Sequence, residues 1–351
     1  MPASPDRLSS SAVKHQAEVF GFDLCGIAPA AAHPELQYLR EWLDAGFAGE
    51  MHYMHRSAER RMDVTSVLPS ARSVIVFGTI YNTDQPYSTE VADARRAALA
   101  RYAWGDDYHT VIQARLDRMV EWLRSEAGDT LEARSYVDTG PVQERVFAQY
   151  AGLGWIGKNS CLINEELGSW LFLSEIICNL ELQPDAPGLD RCGTCTACLD
   201  ACPTGALTAP RALDSRRCLS YLTIENKGDI PVEQRPSIGA HAYGCDICQE
   251  VCPYNLAPAV AADAAWTARP GLDQTTLLDL WRRSDDELRA MLKGSAMKRA
   301  GVRRFRRNLA VAIGNAGDPS AIEALGARHT PTTEDPLVEA HVRWALEVLG
   351  G

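Results

Sequence analysis

Eight of the chain's eleven cysteines lie between residues 191 and 253, and their spacing is that of a metal-binding segment. The stretch RCGTCTACLDACP sets Cys192, Cys195, Cys198 and Cys202 at x2, x2 and x3 intervals and closes on Pro203. Bacterial ferredoxins hold 4Fe-4S clusters with this spacing. Three thiolates on one tight loop reach three iron corners, and the fourth, carried off by the turn at proline, ligates a second cluster. A second run, GCDICQEVCP, supplies Cys245, Cys248 and Cys252 before Pro253 but lacks a first cysteine, a vacancy that Cys218 can fill. Pseudo-twofold exchange then predicts one cluster on Cys192, Cys195, Cys198 and Cys252, and another on Cys218, Cys245, Cys248 and Cys202. Zinc also takes C-x2-C pairs, but rarely needs three cysteines at successive x2 intervals followed by C-P. Cys25, Cys161 and Cys178 stand outside the pattern and read as small buried residues.

A second stretch with chemical potential is AGLGWIGKNS, residues 151–160, where Gly152, Gly157 and Lys158 make G-x-x-x-x-G-K. A phosphate-cradling loop of that kind needs a strand before it, a helix after it and a Ser or Thr for magnesium. Here PVQERVFAQY precedes it with helical spacing and Pro141 suited to a first turn, the following residues are strand-like, and Asn159 replaces the hydroxyl. The order is inverted, so the loop is not a nucleotide hydrolase's. Its glycines instead allow close backbone approach to a bulky ligand or a tight helix-to-strand turn.

The elements around these motifs alternate. HTVIQARLDRMVEWLRSEAG carries Ile112, Leu116, Met119 and Leu123 at helical spacing, while SVIVFGTIY (73–81) and GSWLFLSEIICNL (168–180) read as buried strands. Such alternation predicts a layered domain of helices and strands over 1–181. Pro- and Gly-containing LQPDAPGLD marks a boundary, the cysteine segment occupies 182–265, and helical patterning returns over 266–351. There NLAVAIGNAGDPSAIEALGAR suggests two helices parted by Gly317-Asp318-Pro319, and Val338, Val342, Ala345 and Leu349 share a face, as in a HEAT-type repeat.

The net charge of −11 argues against indiscriminate nucleic-acid binding through the whole surface. It leaves room for a local patch, and KGSAMKRAGVRRFRR, 293–307, holds seven Lys or Arg and no acid. A charge run is usually a solvated face, but in so acidic a chain this one is expected to meet phosphate, through Lys298, Arg299, Arg303, Arg304, Arg306 and Arg307. No apolar run is long enough to span a membrane, and MPASPDRLSSSAVKHQ has no basic-then-apolar signal, so a cytoplasmic protein is expected.

Several blocks together resemble the epoxyqueuosine reductase family: RYAWGDDYH (101–109), YVDTGPVQERVFAQYAGLGWIGKNS (136–160), GSWLFLSEII (168–177) and the double-cluster segment with RCLSYLTIENKG (217–228). With the C-terminal stretch, the resemblance covers most of the chain. It implies an α+β multidomain fold: a nitroreductase-like α/β cobalamin domain, a ferredoxin-like double-cluster domain and a C-terminal HEAT-like α-helical repeat. The implied reaction reduces the epoxide of epoxyqueuosine at the wobble position of tRNA, using cobalamin fed by two 4Fe-4S clusters and an external low-potential electron donor. A monomer is expected.

Carried over residue by residue, the family's proton donor falls on Asp138 in VDTGPV, where the bare sequence allows an Asx turn or helix cap equally well. To give up a proton near neutral pH, Asp138 should have its pKa raised by burial beside the cofactor. Arg145, Tyr108 and His109 are candidate substrate contacts, and Arg61, Arg101, Asp138, Lys158, Asn159 and Ser220 candidate cofactor contacts. His109 is not assigned as a cobalt ligand, because Ile112 occupies the glycine position of D-x-H-x-x-G. A hydrogen-bonding role inside the domain remains open for it. Two alternatives stay in view. A reductive dehalogenase shares the cofactor plan but usually carries a twin-arginine signal, and an electron-transfer module would bind no cobalamin.

Overall fold

In the computed structural model, which describes residues 8–272, 275–327 and 335–350, the β-branched run Ser73–Ile80 is the centre of a four-stranded sheet. In chain order the strands are β1 (Leu24–Pro29), β2 (Ser73–Ile80), β3 (Ala133–Tyr136) and β4 (Leu171–Cys178). They stand in the order β1-β2-β4-β3, every neighbouring pair antiparallel. Every residue of β2 is buried, because both faces of the sheet are covered. The helix α1 (Tyr108–Ala127) buries Ile112, Leu116, Met119 and Leu123, the stripe its spacing predicts. Alternation of helices and strands in sequence thus produces layering, but with antiparallel rather than parallel strands.

Pro141 does not open the next helix. The helix α2 (Glu144–Tyr150) starts three residues later, after Gln143, whose amide is taken by the carbonyls of Leu36 and Arg61. The glycine loop that follows is a turn into a short hairpin of Trp155–Ile156 and Leu162–Ile163. Gly152 has φ +75°, and a Cβ on Gly154 would collide with the carbonyl oxygen of Ile163. The glycines serve chain-to-chain packing.

In the cysteine segment, two short helices, Ala197–Asp200 and Ile247–Glu250, follow equivalent cysteine turns and contact each other, the internal symmetry implied by the repeated motif. The C-terminal part is built on α3 (Gly301–Ala316) and α4 (Pro336–Gly350). Gly317, left-handed at φ 65°, ends α3 as the sequence suggests. The inward face of α4 holds the expected Val338, Val342, Ala345 and Leu349 and widens to Leu337 and His341, whose Nε2 accepts the Ile230 N–H at 3.0 Å. One apolar core runs from Val13 through Phe172 and Trp266 to Phe305 and Ala345, so the C-terminal helices and the sheet share an interior. Among the described residues, no helix is long and apolar enough to cross a membrane.

Candidate active site

A cleft of about 1100 Å³ opens where the sheet domain, the cysteine segment and the start of the basic stretch meet. Its walls include Arg61, His109, Asp138, Cys218, Ser220 and Lys298. Asp138 reaches it from a tight turn after β3, in which Thr139 N–H bonds the Val137 carbonyl at 2.6 Å and Asp138 itself has φ +59°. Positive φ is uncommon outside glycine, although Asp and Asn tolerate it best, and such strain concentrates at functional positions. The Asp138 side chain is 61% exposed to the cleft.

Its carboxyl is held by the first turn of α1. Tyr108 Oη donates to Asp138 Oδ2 at 2.9 Å, and His109 Nε2 lies 3.4 Å from the same oxygen. The other ring nitrogen, Nδ1, is 2.7 Å from Asp107 Oδ1. Asp107 is almost wholly buried, caps α1, and pairs through Oδ2 with Lys298, 191 residues away in the chain. A continuous line therefore runs Lys298–Asp107–His109–Asp138.

This line corrects the expectation for Asp138. Burial acts to raise its pKa, but the hydrogen bonds from His109 and Tyr108 outweigh it and hold the carboxyl below its ordinary value. For His109, burial acts to lower the pKa, and its bonds to Asp138 and Asp107 win and raise it. In the open cleft the arrangement thus favours an ionised carboxylate beside a protonated imidazole.

The eight motif cysteines gather in two groups. Cys192, Cys195, Cys198 and Cys252 line a cavity of about 300 Å³ in which Cys195 is exposed. Burial pushes the Cys252 thiol up to about 11, with Cys192, Cys198 and Cys195 as its neighbours. Cys218 has Cys202 as a neighbour, and Cys248 has Cys245 and Cys218. All-sulfur donor sets of four suit iron-sulfur clusters. Burial raises the thiol pKa of Cys198, Cys218, Cys245 and Cys252, where metal must displace protons, whereas at Cys202 burial is outweighed by backbone N–H groups, which lower it. Cys161 is more than the plain core residue expected of it. Its thiol neighbours that of Cys248, a proximity between residues far apart in sequence.

Several candidate cofactor contacts sit elsewhere. Arg101 is 3% exposed, its guanidinium bonded to Thr83, Gln85 and Pro86 and flanked by Tyr87, Trp104 and Trp170. With its donors turned inward, it braces the segment rather than facing the cleft. Lys158 Nζ bonds the carbonyls of Gly193 and Cys195 at 2.7 and 2.8 Å, and buried Asn159 donates to the Cys248 carbonyl at 3.1 Å. Both fasten cysteine loops, because the hairpin that carries them packs on that segment. Arg145 is exposed but outside the cleft lining, whereas Arg61 and Ser220 line it.

The basic stretch is corrected as well. Arg307 is completely buried and Arg306 nearly so, both bonded to backbone carbonyls. Arg304 bonds the carbonyls of Ala300 and Ile224, and Arg303 pairs with Asp335. Helical periodicity turns half of this run into the interior, where guanidinium groups cap carbonyls. Lys298 and Arg299 do face the cleft, Arg299 paired with Glu225 at 2.5 Å.

Comparison with known proteins places these features in context. Residues 61–139 match the family described as "Epoxyqueuosine reductase QueG", and residues 191–255 match the 4Fe-4S double cluster binding domain. The epoxyqueuosine reductase of Pseudomonas aeruginosa is 41% identical over 98% of this chain and 95% of its own. Among solved structures, epoxyqueuosine reductase from Bacillus subtilis with its catalytic loop swung out of the active site has a TM-score of 0.85. It is 30% identical, covering 97% of this chain and 90% of that one. An epoxyqueuosine reductase with an epoxyqueuosine-modified tRNA stem loop has a TM-score of 0.82 and 29% identity, covering 97% and 98%.

Proposed function

The chain belongs to the epoxyqueuosine reductase family, and from that membership we propose that it reduces epoxyqueuosine to queuosine at the wobble position of tRNA. One observation carries the reading. The cleft that receives Asp138 also exposes Cys218, a thiol of the inner quartet, so a proton source and an electron source share one cavity. The cleft also exceeds the ~300–1,000 Å³ usual for drug-sized ligands. Its lining mixes apolar Met51, Met54, Tyr221 and Ile224 with Arg61 and Ser220, which fits cobalamin beside a nucleoside.

The overall change takes up two electrons and two protons, breaks both carbon–oxygen bonds of the epoxide, and yields an alkene and water. When bound, cobalamin supplies the reducing electrons at the substrate carbon. The protein supplies the rest. Asp138 protonates the departing oxygen, and Tyr108 fixes the carboxyl by its 2.9 Å bond. His109 stores the proton that Asp138 lacks in the open cleft, and Asp107, tied to Lys298, fixes the tautomer and the ring. When ligands cover the cleft and exclude water, the ionised carboxylate loses solvation and the proton moves from His109 to Asp138. Arg61 and Ser220 would hold the cofactor, and Lys298 and Arg299 would meet tRNA phosphate at the mouth.

In this reading residues 1–181 hold cobalamin, 182–265 form the ferredoxin-like unit with both clusters, and 266–351 form the HEAT-like helical part. Electrons from an external one-electron donor enter at the quartet containing exposed Cys195 and pass through the quartet containing Cys218. One chain contributes both the acid and the cluster thiol to the cleft, which suits a monomer working in the cytoplasm.

Asp138→Asn tests the assignment. It preserves size and most hydrogen bonding but removes the acid proton, and general acid catalysis contributes about 10²–10⁴-fold. Prereduced variant carrying both clusters and cobalamin should lose single-turnover rate within that range while binding tRNA normally. A normal rate would return Asp138 to the status of a turn residue.

A further inference from the structure

Next to the Asp138 turn, two more carboxyls meet outside the cleft lining. Glu175 lies in the middle of β4, opposite Val76 of β2 and Tyr136 of β3, and is 0% exposed. Neither of its oxygens has a conventional hydrogen-bond donor among the described residues. Its side chain instead contacts the carboxyl of Glu144, the first residue of α2. Two carboxyls this close, Glu175 wholly buried and Glu144 half-buried, favour a proton between them, since adjacent like charges repel strongly where water is scarce. Glu144 also bonds outward, where its Oε1 accepts the backbone N–H of Asp138 at 2.5 Å. That amide belongs to the residue with φ +59°, a conformation that needs support from its surroundings.

We infer that Glu144 and Glu175 are positioning residues that share one proton and clamp the Asp138 turn. Protonated Glu175 donates to Glu144, and the second oxygen of Glu144 takes the Asp138 amide, so the interior of the sheet fixes where the acid points. Desolvation raises both groups, Glu144 to about 8 and Glu175 well above its ordinary value, which keeps a proton on Glu175 beside Glu144. The charged and titratable groups facing the pair are Arg61, Arg145, Asp138 and Tyr108; the two arginines oppose that rise and Asp138 adds to it. The clamp deepens the reductase reading and rests on it for the activity measurement alone.

Two measurements on the full chain test it. The first is hydrogen exchange of the Asp138 amide, which needs neither cofactor nor substrate. Glu144→Gln keeps an acceptor oxygen and offers an N–H to Glu175, so protection should persist. Glu144→Ala should exchange at least about tenfold faster, as a freed turn amide does. Glu175→Gln, which keeps an N–H donor towards Glu144, should also keep the protection, whereas Glu175→Leu, which offers no donor, should weaken it. The second is single-turnover reduction. Glu144→Ala should lower kcat by up to about 10²-fold with KM unchanged, the cost of misplacing a reacting group. Glu144→Gln should restore it to within a few-fold.

Unchanged exchange and unchanged kcat in Glu144→Ala overturn the clamp. So does full protection of the Asp138 amide in Glu175→Leu. If the wild-type chain fails to reduce epoxyqueuosine, the reductase reading falls and the exchange measurement still decides the clamp.

Discussion

Arg307→Met puts the corrected view of the basic stretch to a quantitative test. A guanidinium has five N–H donors, and the structure engages all five. Nε bonds Asn308 Oδ1 at 3.1 Å; Nη1 bonds the carbonyls of Asn226 and Gly228 at 2.9 and 2.6 Å; Nη2 bonds the Leu222 carbonyl and Asn308 Oδ1 at 2.6 and 2.8 Å. Methionine fills most of the volume and offers no donor. Two buried carbonyls and one amide oxygen then lose partners, while the carbonyl of exposed Gly228 can turn to water. Each unsatisfied buried group costs about 1–3 kcal/mol, so the gross loss is ~3–9 kcal/mol. Part is recovered because a buried charge is removed, consistent with the downward push of burial on Arg307, to about 10. A net destabilisation of about 3–5 kcal/mol is expected, the usual size for a broken buried network. Urea and thermal midpoints of anaerobically purified protein measure it, with Arg303→Met as the comparison. Arg303 is 57% exposed beside Asp335, so its loss should cost only ~0–1 kcal/mol. If Arg307→Met left both midpoints unchanged but flattened the salt dependence of tRNA binding, the residue would be a phosphate contact and the packing argument would be wrong.

Three further expectations concern the site. Cys192→Ala and Cys245→Ala should each lose about half of the ~eight irons of two cubane clusters, while Cys25→Ala and Cys161→Ala should keep them, as iron and acid-labile sulfide analysis will show. The His109 ring should titrate above 6.5 by NMR, and lower in Asp138→Asn, because the carboxylate favours its charged form. The sign for stability follows: the raised His109 pKa contributes stability present below 6.5 that is lost as pH rises through the folded value, and the depressed Asp138 pKa contributes stability present above 3.8 that is lost as pH falls. Their interaction is therefore complete only between those limits, and a denaturation series across pH should show it disappearing in Asp138→Asn. Finally, Lys298→Met should raise the His109 pKa further even though Lys298 touches no atom of the ring, since Asp107 then gives its charge undivided to the imidazolium and a nearby cation is gone.

The local signals were legible from the residues alone. Cysteine spacing marks the two quartets because ligand loops are short and their geometry is set by a few intervening residues. Periodicity places α1 and its stripe, and β-branched runs place β2 and β4, because burial of one face or both is written along the same segment that forms the element. The inverted order of helix and strand around the glycine loop excludes a phosphate cradle on the same local grounds. The resemblance of long ordered blocks carries the family, and with it Asp138.

What remained hidden depends on pairs of residues far apart in sequence. Nothing in GDDYH reveals that Lys298 will hold Asp107, and nothing in KRAGVRRFRR reveals which arginines turn inward. That choice depends on the carbonyls of Leu222, Asn226 and Gly228 arriving beside α3. The direction of Asp138's pKa follows from two donors on α1, and the burial of Glu175 against Glu144 from the register of β4 with β2 and β3. Charge and hydrogen-bond energies depend on distance through space and on what excludes water. Spacing along the chain determines which ligands and elements exist, and only the packed structure decides which polar groups meet, which are deprived of solvent, and where the proton rests.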